Sequence, residues 1–190
     1  MEDLIIRPVT PADAAGLLGV YAPFVTDTAI SFEETVPTEA EFRARIQKTT
    51  AFYPYFAAVR GDTIVGYAYA GAFVGRAAYR WDAEMTIYLS PSEQKRGTGR
   101  KLYAAMEEAL GRMGIQNLYA CIGLPETPDE YLNNNSAEFH RHMGYRLVGT
   151  FLNCGRKFGR WYHMIWMEKL IGDHGPRPSE VRPWPETINP

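Results

Sequence analysis

The sequence predicts a mixed α/β domain in which one sheet carries helices on both faces. Short runs rich in β-branched and aromatic residues alternate with segments whose apolar residues recur every three to four positions. The length of 190 residues suffices for one well-filled core but is short for two. Composition agrees: 46% of residues are hydrophobic, 22% charged and 13% aromatic, an ordinary globular balance.

The elements follow in order. Leu4 to Arg7 reads as a first strand. Thr10-Pro11 marks a helix start, with Thr as N-cap and Pro at the first helical position, and Ala12 to Tyr21 as its body. Ala22 to Val36 has no clean period. A second helix begins after Thr38, with Glu39 and Glu41 favourably placed at its positive end. Tyr55 to Arg60 and Thr63 to Ala72 form a hairpin through Gly61-Asp62, and Trp81 to Leu89 is a further strand. The period then changes. Leu102, Met106, Ala109, Leu110 and Met113 recur at helical spacing, so Gly97 to Met113 is an amphipathic helix ended by Gly114. Asn117 to Gly123 returns to strand character. Ser136, Phe139, His140 and Met143 share a face of another helix that stops at Gly144. Tyr145 to Leu152 and Trp161 to Leu170 close the sheet. Five of the last fifteen residues are proline, so the tail from Gly172 is expected to form neither helix nor inner strand.

Charge and cysteine usage exclude several functions. Twenty Lys and Arg against twenty-two Asp and Glu give a formal net charge of −2, which argues against dense phosphate contacts with nucleic acid. No apolar run is long enough to span a bilayer, and the N-terminus lacks the pattern of a signal peptide. Cys121 and Cys154 stand apart without a CxxC or a His cluster, so neither a metal site nor a disulfide framework is expected. A reducing, cytoplasmic compartment is the expectation.

The segment Gln94-Lys95-Arg96-Gly97-Thr98-Gly99-Arg100 joins a strand to a helix. The first N–H groups of a helix lack intrahelical partners and carry partial positive charge. Glycines there let a phosphate approach the main chain, and the basic side chains add charge. Two glycines alone fit a plain turn with a solvated basic collar equally well, and the spacing matches neither GxxxxGK[ST] nor GxGxxG.

Gln94-x-x-Gly97-x-Gly99, after the Ile87-x-Leu89 strand, resembles the acetyl-CoA motif of the GCN5-related N-acetyltransferases (GNAT). Asn133-x-x-Ser136-x-x-Phe139-His140-x-x-x-Gly144-Tyr145 resembles the later Asn-x-x-Ala/Ser helix of the same family. Segments 20–34, 70–91, 122–126, 136–145 and 155–169 extend the likeness to the phosphinothricin and methionine sulfoximine acetyltransferase branch. The resemblance implies a GNAT domain over 1–171, followed by a Pro-rich tail over 172–190. It implies a mostly antiparallel sheet whose central strands splay apart to admit acetyl-CoA. Ile87, Tyr88 and Leu89 would bond the pantetheine arm and Gln94 through Arg100 would surround the diphosphate, with Asn133 and Ser136 further along.

The resemblance also implies the chemistry. Glu84 matches the branch's catalytic glutamate; read alone, a glutamate there is more simply an edge carboxylate facing water. His140 occupies the position where the family places an acid for the departing thiolate, and an imidazole there can assist proton traffic as either acid or base, although a histidine between Phe139 and Met143 is ordinarily a buried core residue. Arg76, Tyr79 and Phe32 fall where the branch holds its acceptor. Val74 replaces a lysine of the herbicide-detoxifying members, which argues against phosphinothricin itself. Arg156, Lys157 and Arg160 form a basic loop that fits either a phosphate contact or solvated charge. The expected activity is acetyl transfer to a small amino-acid-like amine, with a homodimeric assembly. A peptide N-terminus, a polyamine and a non-catalytic acyl-CoA-binding module are the alternatives.

Overall fold

A computed structural model describes residues 3–188. Met1, Glu2, Asn189 and Pro190, which the expected domain and tail include, lie outside the described residues. Seven strands follow the order β1-β2-β3-β4-β5-β7-β6 in one sheet. They are β1 Leu4–Pro8, β2 Tyr55–Arg60, β3 Thr63–Ala72, β4 Asp82–Leu89, β5 Asn117–Leu124, β6 Arg146–Lys157 and β7 Arg160–Leu170. The helices are α1 Ala14–Thr26, α2 Glu39–Thr50, α3 Thr98–Met113, α4 Asn135–His142 and a short α5 Trp184–Ile188. The chain divides into two compact units, one of Met1–Val20, Pro37–Leu118 and Leu170–Pro190, the other of Tyr21–Val36 and Tyr119–Lys169.

In the first unit β1 to β4 pair antiparallel in sequence. Strand alternation sorts their residues cleanly. Phe56, Ala58, Gly66, Ala68, Ala70, Met85 and Ile87 occupy one face, where α3 lies over β2 and β3. Small residues there leave room for the helix, whose Leu102, Tyr103, Met106, Leu110 and Met113 are fully buried. Tyr55, Tyr67, Tyr69 and Tyr88 occupy the other face as one aromatic cluster, joined by Phe42 from α2. The capping predicted for α2 is present: Glu41 accepts the Thr38 N–H at 2.7 Å and donates its own N–H to the Thr38 hydroxyl at 3.2 Å. Thr10-Pro11 starts a 3-10 turn over Pro11–Asp13 that leads into α1. That helix outruns the expected Tyr21. Pro23 lies inside it, and the Asp27 N–H still bonds the Pro23 carbonyl at 2.9 Å.

The tail departs from expectation over one turn. Trp184 to Ile188 is helical although Pro185 lies within it, because proline is tolerated in a first turn whose N–H groups have no helical partner. The rest is a strap across the first unit. The Trp81 indole donates to the Ser179 carbonyl at 2.9 Å, the Arg182 N–H to Met113 and the Trp184 N–H to Phe52, while the Trp184 ring meets Phe56 edge-on.

In the second unit β6 and β7 form a long hairpin. Its two-residue turn is Phe158-Gly159, with φ of 50° and 77°, a type I′ geometry that matches the strand twist. The segment read as a basic loop over 155–160 is therefore hairpin tip, and β6 runs to Lys157 rather than ending at Leu152. Lys157 is buried there, its ammonium donating to the carbonyls of Val25, Thr28 and Ser31 at 2.6–2.9 Å. Asp129 organises the preceding turn by accepting the N–H groups of Tyr131 and Leu132, both at 2.8 Å, and the Tyr162 hydroxyl at 2.9 Å. Arg160 pairs with Asp129 and Glu130.

Candidate active site

Glu84 projects from β4 on the tyrosine-bearing face, directly opposite Gly71 of β3. A Cβ added at Gly71 would meet nothing within 4 Å, so the ground beside the carboxylate is open. The side chain is half-buried, and burial pushes its carboxyl above the usual range. A base of raised pKa is better matched to removing a proton near neutrality than a solvated carboxylate is. Arg76 and Tyr79 lie in the turn before β4, Arg76 at the start of a 3-10 turn over Ala77–Tyr79, and both are exposed. Arg80 lies over the Trp81 ring at the end of that turn. Ile87, Tyr88 and Leu89 close β4 opposite Ala68, Tyr67 and Gly66.

Beyond Leu89 the chain makes a 3-10 turn over Pro91–Glu93 and then the glycine turn. Lys95 and Gly97 both adopt left-handed φ, 59° and 81°, so the chain doubles back before α3 begins at Thr98. Gly97 is required there by its conformation, and a Cβ on it would meet nothing within 4 Å. Unobstructed main chain at a helix N-terminus, with Gln94, Lys95 and Arg100 exposed around it, fits a diphosphate. Thr98 and Gly99 are buried as the first residues of the helix. Arg96 differs from the other basic residues, because its guanidinium pairs with Glu93 at 3.3 Å. Glu93 was missed by the sequence reading: it is 2% exposed and gathers Arg60, Arg96 and Thr98.

The second unit holds the remaining sequence candidates. His140 is 3% exposed on α4, with Nδ1 2.7 Å from the Ser136 carbonyl. A carbonyl only accepts, so Nδ1 carries the proton and Nε2 is left as an acceptor. Burial among the Phe139 and Tyr145 rings lowers the imidazole pKa to about 4, which keeps it neutral at physiological pH. Such a group accepts a proton and has none to spare for a thiolate. Asn133 accepts the Asn135 N–H at 2.9 Å, an Asx turn that opens α4. Ser136 sits half-buried in the first turn of that helix. Phe32 lies over Gly155 and Gly123, with a Tyr162 edge contact at 6.1 Å. The phosphate role weighed for Lys157 and Arg160 is not available to them, since both are committed to the internal contacts of the hairpin and its neighbouring turn. No cluster of three or more metal-ligating side chains occurs among the described residues.

Residues 6–166 match the family model for an acetyltransferase (GNAT) domain. The chain belongs to the GNAT acetyltransferase family. This GNAT acetyltransferase is 31% identical over 179 residues to a phosphinothricin N-acetyltransferase of Streptomyces viridochromogenes, a match covering 94% of this chain and 93% of the relative. It is 26% identical to an L-methionine sulfoximine/L-methionine sulfone acetyltransferase of Salmonella typhimurium, covering 90% and 96%. Among solved structures, a GNAT superfamily phosphinothricin acetyltransferase from Sinorhizobium meliloti in complex with AcCoA superposes with a TM-score of 0.85 at 31% identity, covering 94% of this chain and 95% of that one. The fold class and family expected of this GNAT acetyltransferase from its two motifs are the ones found.

Proposed function

We propose that this enzyme transfers the acetyl group of acetyl-CoA to the primary amine of a small amino-acid-like acceptor, of the phosphinothricin or methionine sulfoximine type. Its family membership and its relatives make the chain an acetyl-CoA-dependent N-acetyltransferase. The observation that carries the finer reading is Glu84, a half-buried carboxylate of raised pKa beside open ground on β4.

An amine of lysine-like pKa is neutral in about one molecule in a thousand at pH 7. Glu84 acts as general base on that ammonium, so that the amine attacks the thioester carbon directly in a ternary complex. The C–S bond breaks as the C–N bond forms, and CoA leaves as a thiolate that takes up the second proton lost from the attacking nitrogen. Acetyl-CoA supplies the activated acyl carbon. The turn from Gln94 to Arg100 holds the diphosphate through main-chain N–H groups and exposed basic side chains, and Ile87 to Leu89 offer backbone groups to the pantetheine arm. Asn133 and Ser136 are assigned to the cofactor on the family resemblance alone. Arg76 suits a carboxylate or phosphinate because its planar fork binds such groups bidentately, while Tyr79 and Phe32 are assigned to the acceptor on the family resemblance alone. His140, neutral with Nδ1 engaged, serves as a proton acceptor at most. Cys121 and Cys154, exposed and outside any disulfide, suit a reducing, cytoplasmic compartment. The exposed apolar side chains of β6 support a homodimer.

A turnover screen measuring thiol release tests this reading. Methionine sulfoximine, methionine sulfone, phosphinothricin, the common amino acids, short peptides and polyamines would be compared. Amino-acid-like acceptors are expected to give the highest kcat/KM. Preference for peptides or polyamines would overturn the acceptor assignment, and CoA binding without acceptor-dependent thiol would overturn catalysis.

A further inference from the structure

We propose that Glu93 is a positioning residue that clamps the glycine turn in its diphosphate-binding shape. The proposal rests on the placement of the diphosphate at residues 94–100. Glu93 is 2% exposed, a burial rare for a carboxylate unless it is paired. Oε1 accepts Arg60 Nε at 2.8 Å and Oε2 accepts Arg60 Nη2 at 3.0 Å, a two-pronged pair that fixes the carboxylate plane. Oε1 also accepts Arg96 Nη1 at 3.3 Å, and Oε2 accepts the Thr98 hydroxyl at 2.6 Å. Arg60 ends β2, so the carboxylate ties the turn to the sheet. Thr98 begins α3, so the same group ties the turn to the helix.

The residues between the two anchors are Gln94 to Gly97. Two of these four are left-handed, and one is the non-glycine Lys95. That conformation is strained for a lysine, whose Cβ crowds the backbone there. It persists where flanking contacts over-determine it. The Glu93–Thr98 hydrogen bond closes the four-residue loop on itself, and the Arg60 pair stops the closed loop from tilting off the sheet. Main-chain donors held in place before the ligand arrives need not be ordered on binding. The clamp thereby acts on the diphosphate without touching it. Its negative charge is neutralised by Arg60 and Arg96, so its contribution to an anionic ligand is geometric.

Calorimetric binding of CoA and of pantetheine, which lacks the diphosphate, to Glu93→Gln and Thr98→Val tests this. Glu93→Gln is expected to weaken CoA about tenfold while pantetheine changes less than twofold; KM for acetyl-CoA rises in parallel and kcat stays within about twofold. Thr98→Val removes one hydroxyl and no charge, and is expected to shift CoA about threefold in the same direction. It also carries the test if Glu93→Gln does not fold. Equal losses for both ligands would make the clamp merely structural and overturn the proposal. Unchanged or tighter CoA binding would overturn it as well, the latter by showing that charge outweighs geometry. Lys95→Ala with Arg100→Ala separates the two layers of the argument. If that pair leaves CoA affinity intact, the diphosphate placement fails; if it weakens CoA and Glu93→Gln does not, only the clamp fails.

Discussion

Glu84 and His140 are displaced from their ordinary titration ranges by the same cause, burial, in opposite directions. Desolvation disfavours the charged form, which raises a carboxyl and lowers an imidazole. For Glu84 the consequence is kinetic. Glu84→Gln should reduce kcat by about 10²–10⁴-fold, the range ascribed to a positioned base, with the KM for acetyl-CoA unchanged. In the wild type the acidic limb of the kcat/KM profile should lie above the 4.5 of an ordinary glutamate and vanish in the variant. For His140 the consequence is thermodynamic. The unfolded chain binds a proton near pH 6.5 and the folded chain only near 4, so stability is complete above pH 6.5 and declines as pH falls toward 4. The total is about 3 kcal/mol. Urea unfolding at pH 7, 6 and 5 should show this slope in the wild type and a flatter one in His140→Gln; identical slopes would mean that the imidazole is not buried neutral. Both residues were candidates only through the family resemblance; read alone, Glu84 was an edge carboxylate facing water and His140 a buried core histidine. Neither strand period nor helical period carries the depth of burial, which separates a base from a buried neutral ring.

At the scale of elements, the amphipathic period of α3 and the glycines at its two ends locate that helix correctly, because both signals are local. The β6–β7 hairpin was less legible. Its turn is Phe158-Gly159, with phenylalanine in the left-handed region, where Asn-Gly or Asp-Gly would have announced it. Missing the turn made Lys157 look like a loop cation. In the structure its ammonium satisfies three carbonyls, that of Val25 in the last turn of α1 and those of Thr28 and Ser31 in the segment after it. Lys157→Met should strand those carbonyls and cost about 3 kcal/mol or more in urea unfolding. Amide exchange should quicken over residues 25–31 and not over α3. Uniform quickening would show a global loss instead of the release of one segment. Glu93 was missed for a related reason, since Arg60 lies thirty-three positions away and no local spacing links the two.

For the whole molecule, β6 ends the strand order and exposes Leu147, Val148, Phe151 and Leu152, the last at 72%. A long apolar edge strand left uncovered invites aggregation, so cover by a second copy is the assembly proposed here. Sedimentation equilibrium should find a dimer for the wild type and a monomer for Phe151→Lys; a monomeric wild type at micromolar concentration would refute the assembly. The tail belongs to this scale too. Its prolines did not exclude the short α5, and whether such a segment is loose or bound depends on distant partners. Here Trp81, Met113 and Phe52 supply them.

The amino-acid sequence alone determined the order of strands and helices as far as β7, the glycine turn opening α3 and the family, because periodicity, capping and motif spacing are written within a few neighbouring residues. Tertiary structure decided which charges are committed and which are free. Glu93, Lys157 and Arg160 are spent on internal partners, Glu84 is half-buried beside open ground, and His140 is sealed. The reason is physical: the energy of a charge depends on its solvent and its opposing groups, and folding brings those from anywhere in the chain.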